Sequence, residues 1–295
     1  MKTLVTGGLG FVGSNLVDIL VNQGDEVVVI DNLSSESSSY SYRNKDAEYF
    51  IMDINDILIS KTLTDLRFDR IFHLAAEARI QPSFENPHDY LKSNIYGTGE
   101  ICEYARIIGC KSLVYATTSS KNHGNPYLTP YTYTKVAGEG IVKTYSECFD
   151  MSMAICTFYN VYGPREPKNG EWATVVAKFI RQYNNGDPIT IVGDGKQTRD
   201  FTHVEDICLG MIKVSQGKWG GDNFDLGKGH PISIYDLAME ICENVDDITF
   251  VPFRKNEGQD TLSNHEDTFN KIGWKAKHSL FEYIEINRNK YAQRR

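Results

Sequence analysis

Short apolar runs alternate with longer helical patterns through the first half of the chain. Residues 3–6, 26–30, 48–51, 70–74, 112–116 and 152–157 read as strands. Residues 12–22, 57–66, 87–108 and 134–148 carry apolar side chains at helical spacing. This alternation predicts an α/β fold with a doubly wound parallel sheet. After about Asn160 the pattern changes to short strands, turns and loops with five prolines: Pro164, Pro167, Pro188, Pro231 and Pro252. Gly193-Asp194-Gly195 reads as a hairpin turn between residues 189–192 and the segment that follows. The second half is therefore expected to be a smaller α+β region packed over the sheet's carboxyl edge.

Residues 6–13 read Thr-Gly-Gly-Leu-Gly-Phe-Val-Gly, directly after the first apolar run. Gly8, Gly10 and Gly13 fit G-x-G-x-x-G, and Gly7, Gly10 and Gly13 fit G-x-x-G-x-x-G. The pattern suits a strand that turns sharply into a helix while a pyrophosphate touches the backbone, which leaves no room for a Cβ. The pyrophosphate then sits on the positive helix N-terminus. Asp31 follows the second apolar run, where a carboxylate would hydrogen-bond an adenosine ribose. Its charge repels a 2′-phosphate, so NAD is expected rather than NADP. An ordinary glycine-rich turn explains neither the second strand nor the acid at its end. The serine-rich stretch 34–41 reads as a loop near the adenosine.

The 295 residues are 41% hydrophobic and 24% charged, with a net charge of −8. No basic run exists beyond Arg294-Arg295, so nucleic-acid binding has no electrostatic support. An anionic nucleotide must then find local positive groups within an acidic surface. The six cysteines are scattered without a C-x-x-C, which fits buried thiols in a reducing compartment. The first apolar run reads as a strand rather than a signal peptide, and no stretch is long enough to cross a bilayer. The expected setting is the cytoplasm. His73, His123 and His203 have no second ligand at metal spacing and read as structural.

Tyr131 and Lys135 stand four residues apart, on one face of a helix. An ammonium beside a phenol stabilises the phenolate and lowers the tyrosine pKa, which makes a usable general base. Such a pair is more often a solvated helix face. It gains weight from Thr117 and Thr118, which end the strand just upstream and could share a substrate oxygen with the tyrosine.

With these residues in place, the chain resembles the extended short-chain dehydrogenases/reductases of the nucleotide-sugar epimerase/dehydratase group, nearly end to end. The likeness is carried by the glycine stretch 6–13, by Asp53-Ile54, by His73-Leu74-Ala75-Ala76, and by Asn94 in Asn-Ile-Tyr-Gly-Thr. Thr118 follows, then Tyr131 and Lys135 with Glu139, and Asn160-Val161-Tyr162-Gly163-Pro164. Residues 193–201 and His203-Val204-Glu205-Asp206 complete it. The resemblance implies a Rossmann sheet for residues 1–157, with a return segment at about 199–227. It implies a substrate-binding region from 158–198 and 228–295.

It also implies roles. Gly7, Gly10, Phe11, Val12, Gly13, Asp31, Asn32, Leu74, Ala75, Ala76, Asn94 and Tyr159 would line the NAD groove. Asp53 and Ile54 would contact the adenine, and Lys135 would hold the nicotinamide ribose. Tyr131 would be the base, helped by Thr118. Asn160, Thr174, Val175, Arg199, Arg254 and Ser263 would hold a nucleotide sugar. Arg199 would pair with the diphosphate, where a guanidinium fork fits; on spacing alone it could instead pair with Asp200 or Asp206.

The implied reaction is inversion at C4 of a nucleoside-diphosphate hexose through a 4-keto sugar. Two alternatives stand beside it. The first is a 4,6-dehydratase or another sugar-modifying member of the group; a dehydratase needs Asp-Glu after the catalytic threonine, and here Ser119-Ser120 occupy those places. A catalytically silent NAD-binding protein would not need the intact Thr118, Tyr131 and Lys135.

Three departures matter. The loop after Thr118 is compressed into Lys121-Asn122-His123-Gly124-Asn125. Thr157 stands where an arginine is common. The late Arg-x-Gly appears as Asn256-Glu257-Gly258, with Arg254 as its substitute. Aligned on that motif, Ser263 would wall the sugar's C2 side and leave room for an acetamido group. The helices at 87–108 and 134–148 carry Tyr90, Leu91, Ile95, Ile101, Val136, Ile141, Val142 and Tyr145 on more than one face. A helix of that kind is either buried in its own monomer or paired across a dimer axis, and a homodimer is expected.

Overall fold

Strand β1 (Lys2–Thr6) ends in the glycine turn from which helix α1 (Phe11–Asn22) leaves. In this computed structural model, residues 1–35, 38–170, 172–253 and 260–292 are described. A Cβ on Gly13 would stand 2.1 Å from the Gly7 carbonyl oxygen, so helix and turn close together only when that position is bare. The chain continues through β2 (Glu26–Asp31), β3 (Glu48–Ile51), α2 (Lys61–Thr64), β4 (Arg70–His73), α3 (Ile80–Glu85) and α4 (Pro87–Leu91). A π-wound stretch, Lys92–Gly97, joins α4 to α5 (Thr98–Ile108). Then come β5 (Leu113–Thr118), α6 (Pro130–Phe149) and β6 (Met153–Phe158).

Two expected helices differ in their bounds. Residues 57–66 hold no single helix: Asp53 caps a 3₁₀ turn through the Asn55 N–H, and Ser60 starts α2 through the Leu63 N–H. Short oxygens that bind their own backbone divide the segment. Helix α6 begins earlier than residue 134, because Thr129 Oγ1 accepts from Thr132 N at 3.0 Å and Pro130 fills the first turn.

Past β6 the chain makes β7 (Val161–Tyr162), α7 (Val175–Asn185), β8 (Ile189–Val192), β9 (Thr198–Asp200), β10 (Thr202–His203) and α8 (Val204–Val214). It then rejoins the main sheet as β11 (Gly220–Leu226). The remaining elements are β12 (Pro231–Ser233), α9 (Ile234–Cys242), β13 (Ile248–Val251), α10 (His265–Ile272) and α11 (Leu280–Ala292). The sheet has seven strands in the order β11-β6-β5-β4-β1-β2-β3, and every neighbouring pair is parallel.

Both faces of this sheet are covered. Val27 and Val29 pack with Leu16, Leu20, Ile207 and Met211 on one side; Val28 and Ile30 pack with Ile101, Tyr104 and Ile155 on the other. Burial on both faces is why the strand reads as an unbroken apolar run. A third core joins Phe179, Ile180, Ile189, Ile191, Leu237, Ile241 and Ile284 beyond the sheet.

The expected hairpin at Gly193-Asp194-Gly195 is not formed. Both glycines have positive φ, 71° and 76°, so the chain does turn. But β8 pairs in parallel with β13, and β9 pairs antiparallel with β12. The turn sends consecutive strands to different partners.

Candidate active site

The carboxyl ends of the central strands open on a cavity of about 700 Å³. Gly7, Gly10, Phe11, Val12 and Gly13 form one wall. No side chain caps α1 at Gly10, so its first-turn amides remain available to an anion at the positive end of the helix. A Cβ on Gly10 would meet nothing nearer than the Gly7 oxygen at 3.4 Å and Ser38 Oγ at 3.8 Å; the space before that backbone is open, as an approaching phosphate needs. Asp31 receives Leu9 N at 2.9 Å and Leu33 N at 2.8 Å. Burial pushes its carboxyl up, and the two amides counter that. Asn32, Asp53, Ile54, Leu74, Ala75 and Ala76 continue the same wall, with Ser34, Ser35 and Ser38 of the serine-rich loop. These residues fit a dinucleotide with its pyrophosphate on the glycine turn.

Asn94 does not line the cavity. It is buried behind the wall, donating to the Glu77 carbonyl at 2.9 Å and to Thr134 Oγ1 at 3.0 Å, and accepting from the Glu77 amide at 2.8 Å. Tyr159 is also behind the wall: its hydroxyl donates to Asp225 at 2.7 Å and accepts from Asn122 at 2.9 Å. Its neighbour Phe158 faces the cavity instead. Strand alternation at the end of β6 was the signal for that.

Thr118, Tyr131 and Lys135 share the cavity's floor, brought there by the end of β5 and the first two turns of α6. The electrostatics differ from the sequence expectation. Burial pushes the Tyr131 phenol up rather than down, and the opposing influences are the Thr118 hydroxyl and the Arg79 guanidinium. The Lys135 ammonium stands over the Tyr115 ring, 4.3 Å from its centre, and burial pushes its pKa down to about 7. Glu139 opposes that fall, while its own carboxylate accepts from Thr117 Oγ1 at 2.6 Å and Lys121 Nζ at 2.9 Å. Lys121, from the compressed loop, thus anchors that loop to α6.

Asn160, Thr174, Val175 and Arg199 line the far end of the cavity. Asn160 has a φ of 27°, and its amide donates to Thr261 Oγ1 at 3.0 Å and to the Asp200 carbonyl at 3.3 Å. Arg199 donates to the Thr198 carbonyl at 2.8 Å. Neither acid that spacing offered it is engaged with it in the bonds seen: Asp200 receives the amides of Lys228, Gly229 and Ser263, and Asp206 those of Lys277 and His278. Ser263 lies outside the cavity wall. It packs on Gly227, where a Cβ would come within 2.2 Å of its Oγ, so it does not face the sugar space. Arg254 and the Asn256-Glu257-Gly258 motif lie outside the described residues.

Arg79 and Trp172 also line the cavity, and the sequence reading passed over both. Arg79 follows the carboxyl end of the fourth strand, the place where ligand contacts gather in such sheets. His203 is joined by two groups that spacing did not reveal: one ligand atom each of His203, Glu205 and His278 lies within 4.8 Å of the others. The rings of His203 and His278 stack at 4.3 Å and 24°. Stacked rings hold their nitrogen lone pairs side by side rather than converging, and His278 already pairs with Asp206 at 3.1 Å. Among the described residues, no helix is long and apolar enough to cross a membrane.

Comparison with known proteins agrees with this geometry. Residues 3–227 match the model of the NAD dependent epimerase/dehydratase family. The chain is 33% identical to a UDP-glucose 4-epimerase of Mycolicibacterium smegmatis over 98% of its own length and 99% of that protein's. It is 29% identical to UDP-glucuronic acid decarboxylase 2 of Arabidopsis thaliana, over 100% of this chain and 69% of the relative. A solved UDP-glucose 4-epimerase of Thermotoga maritima, with UDP-glucose, superposes with a TM-score of 0.91 at 28% identity, covering 100% and 99% of the two chains. With a seven-stranded parallel sheet, a bare glycine turn and a cavity at the strands' carboxyl ends, the chain belongs to the NAD-dependent epimerase/dehydratase family, whose cofactor is NAD.

Proposed function

We propose that this protein is a nucleotide-sugar 4-epimerase that inverts C4 of a nucleoside-diphosphate hexose through a 4-keto intermediate. The observation that carries the reading is the convergence of Thr118, Tyr131 and Lys135 on one cavity that runs from the glycine turn to Asn160 and Arg199.

NAD, when bound, supplies the two-electron acceptor for C4 and the donor for its return. The chain's own groups do the rest. Tyr131 takes the proton of the 4-hydroxyl and Thr118 shares that oxygen. The buried Lys135 holds the nicotinamide ribose. Arg199 and Asn160 hold the diphosphate while the keto sugar turns, so the second face of C4 is presented without release. The returning proton comes from Tyr131. Arg79 helps to bring the buried phenol back toward a working pKa, the part the sequence assigned to Lys135 alone.

The 4,6-dehydratase alternative loses ground on Ser119 and Ser120, which line the cavity where acid–base carboxyls would be needed. Ser120 Oγ is also held, at 3.1 Å from both Thr118 Oγ1 and Thr132 Oγ1. An absorbance scan for reduced cofactor on adding UDP-, GDP- or dTDP-sugars, with NMR of the product, tests the reading. A hexose that exchanges C4 configuration supports it; a product that has lost water or carbon dioxide, or no turnover of any sugar, overturns it.

The proposed assembly is a homodimer through α4–α6. Tyr90, Ile101 and Val142 are buried in the monomer, but Leu91 is 44% exposed and Tyr96 58% exposed. Light scattering that shows a monomer at micromolar concentration would count against it. Cys102, Cys156, Cys208 and Cys242 are buried free thiols, in keeping with the proposed cytoplasmic setting.

A further inference from the structure

Arg79 has a backbone that an arginine rarely adopts. Its φ is 90° and its ψ 141°, a region populated almost solely by glycine. The surroundings enforce it. Asn94 binds both the amide and the carbonyl of Glu77, and the Tyr90 hydroxyl donates to the carbonyls of Ala78 and Arg79 at 2.8 and 3.1 Å. The Tyr90 ring in turn stands edge-on to Tyr131, 6.2 Å between centres. Strain of this kind at a cavity wall points to a side chain that is wanted there.

The guanidinium crosses the cavity wall and donates from Nη2 to the Trp172 carbonyl at 2.6 Å, and among the described residues this is the hydrogen bond it makes. The acid within its electrostatic reach, Glu166, has one oxygen on Thr174 and the other on the Tyr283 hydroxyl at 2.9 Å. Arg79 thus brings a cation with spare donors into the cavity, without an ion pair to a described carboxylate. A desolvated guanidinium of this kind is best satisfied by a planar anion that takes two donors at once.

Resting on the reading above, Tyr131 marks where C4 sits, so its neighbour Arg79 meets the substituents of C3 and C5. The diphosphate is assigned to Arg199 and Asn160, and hydroxyls carry no charge. The anion left to a sugar at that place is the carboxylate of a uronic acid, carried on C5. We propose that Arg79 binds the carboxylate of a nucleoside-diphosphate uronic acid, and that the substrate class of this protein is the uronates rather than neutral hexoses.

The test compares UDP-glucuronate with UDP-glucose on the NAD-loaded protein, in wild type, Arg79→Gly, Arg79→Gln and Arg79→Lys. Binding is read by calorimetry and turnover by NMR. The wild type is expected to favour the uronate in kcat/KM. Arg79→Gly and Arg79→Gln should lower uronate kcat/KM by about a hundredfold more than hexose kcat/KM, the span of a charge-assisted pair, with Arg79→Lys between. Arg79→Gly guards against a folding artefact, because glycine suits this φ and its melting temperature should hold or rise. A melting temperature that falls, with both sugars losing equally, marks a merely structural arginine and overturns the proposal. A wild type that turns over UDP-glucose and prefers it overturns the proposal but leaves the epimerase reading standing. A protein that binds neither sugar overturns both.

Discussion

The two ends of the cavity are built on different plans. The cofactor end is backbone: the bare glycine turn, the uncapped amides of α1, and Asp31 holding Leu9 and Leu33 by their N–H groups. Its positions are fixed by where parallel strands stop. The sugar end is side chain: Tyr131 reaches in from a helix, Arg199 from the short strand β9, and Arg79 and Asn160 from irregular positions with positive φ. A backbone site tolerates little change in shape and varies little in what it binds. A side-chain site exchanges one ligand for another by exchanging a residue. That division accounts for one cofactor and several sugar chemistries within one family.

The largest expected effect tests whether chemistry and binding are separable on this plan. Tyr131→Phe removes a hydroxyl from the sugar end and nothing from the cofactor end. Turnover should fall by about a thousandfold, the scale of a general base, while the protein still retains NAD. Turnover within tenfold of the wild type removes Tyr131 from the chemistry.

Gly13→Ala attacks the other end. The new Cβ would lie 2.1 Å from the Gly7 oxygen and 2.8 Å from Gly8 Cα, both backbone atoms that cannot swing aside. The turn must open, at about 1–3 kcal/mol. NAD affinity should fall roughly ten- to hundredfold, in proportion to that cost. Unchanged affinity would mean that the glycine turn is not what seats the cofactor.

The same contrast decides what could be read from the sequence. The sheet was legible because strands buried on both faces, such as residues 26–30, leave unbroken apolar runs. The cofactor wall was legible because the glycine turn follows the end of β1 and Asp31 ends β2, at fixed spacing. At the sugar end a resemblance supplied the candidates, and the structure places one of them, Arg199, on the cavity wall. Ser263 was misplaced because the motif that set its register is altered, and the structure puts its hydroxyl against Gly227. Tyr159, just past the end of β6, turns its hydroxyl to Asp225 and Asn122 while Phe158 lines the cavity, a side-chain direction that spacing alone does not fix. Arg79 escaped because a lone arginine in a loop has no periodicity, and its left-handed backbone is imposed by Tyr90 and Asn94, which are distant in kind from any local signal.

Asp31→Asn sharpens the cofactor end further. The amide keeps the side chain's size while removing the charge that would repel a 2′-phosphate. The ratio of NAD to NADP affinity should shrink by about tenfold, the size of one partly screened charge interaction. Titrations of both cofactors measure it. A wild type that already binds NADP more tightly refutes the role of Asp31.

The smallest effect is one on stability, at Lys135, where the two ends meet. It is buried against Tyr115, and its pKa is pushed from 10.5 down to about 7 by desolvation. The folded state therefore binds this proton less readily than the unfolded state does. Between pH 10.5 and about 7 the unfolded chain holds more protons, so stability from this residue falls as pH falls, and the cost is complete below about pH 7. Lys135→Met keeps the length of the side chain and removes the charge. It should abolish turnover yet raise the melting temperature by about 3 °C at pH 6. The difference from wild type should shrink as pH rises toward 9. Thermal unfolding of both proteins across that range measures it. A gap that stays constant with pH would mean that the lysine is not desolvated, and a gap that widens would reverse the sign of the argument.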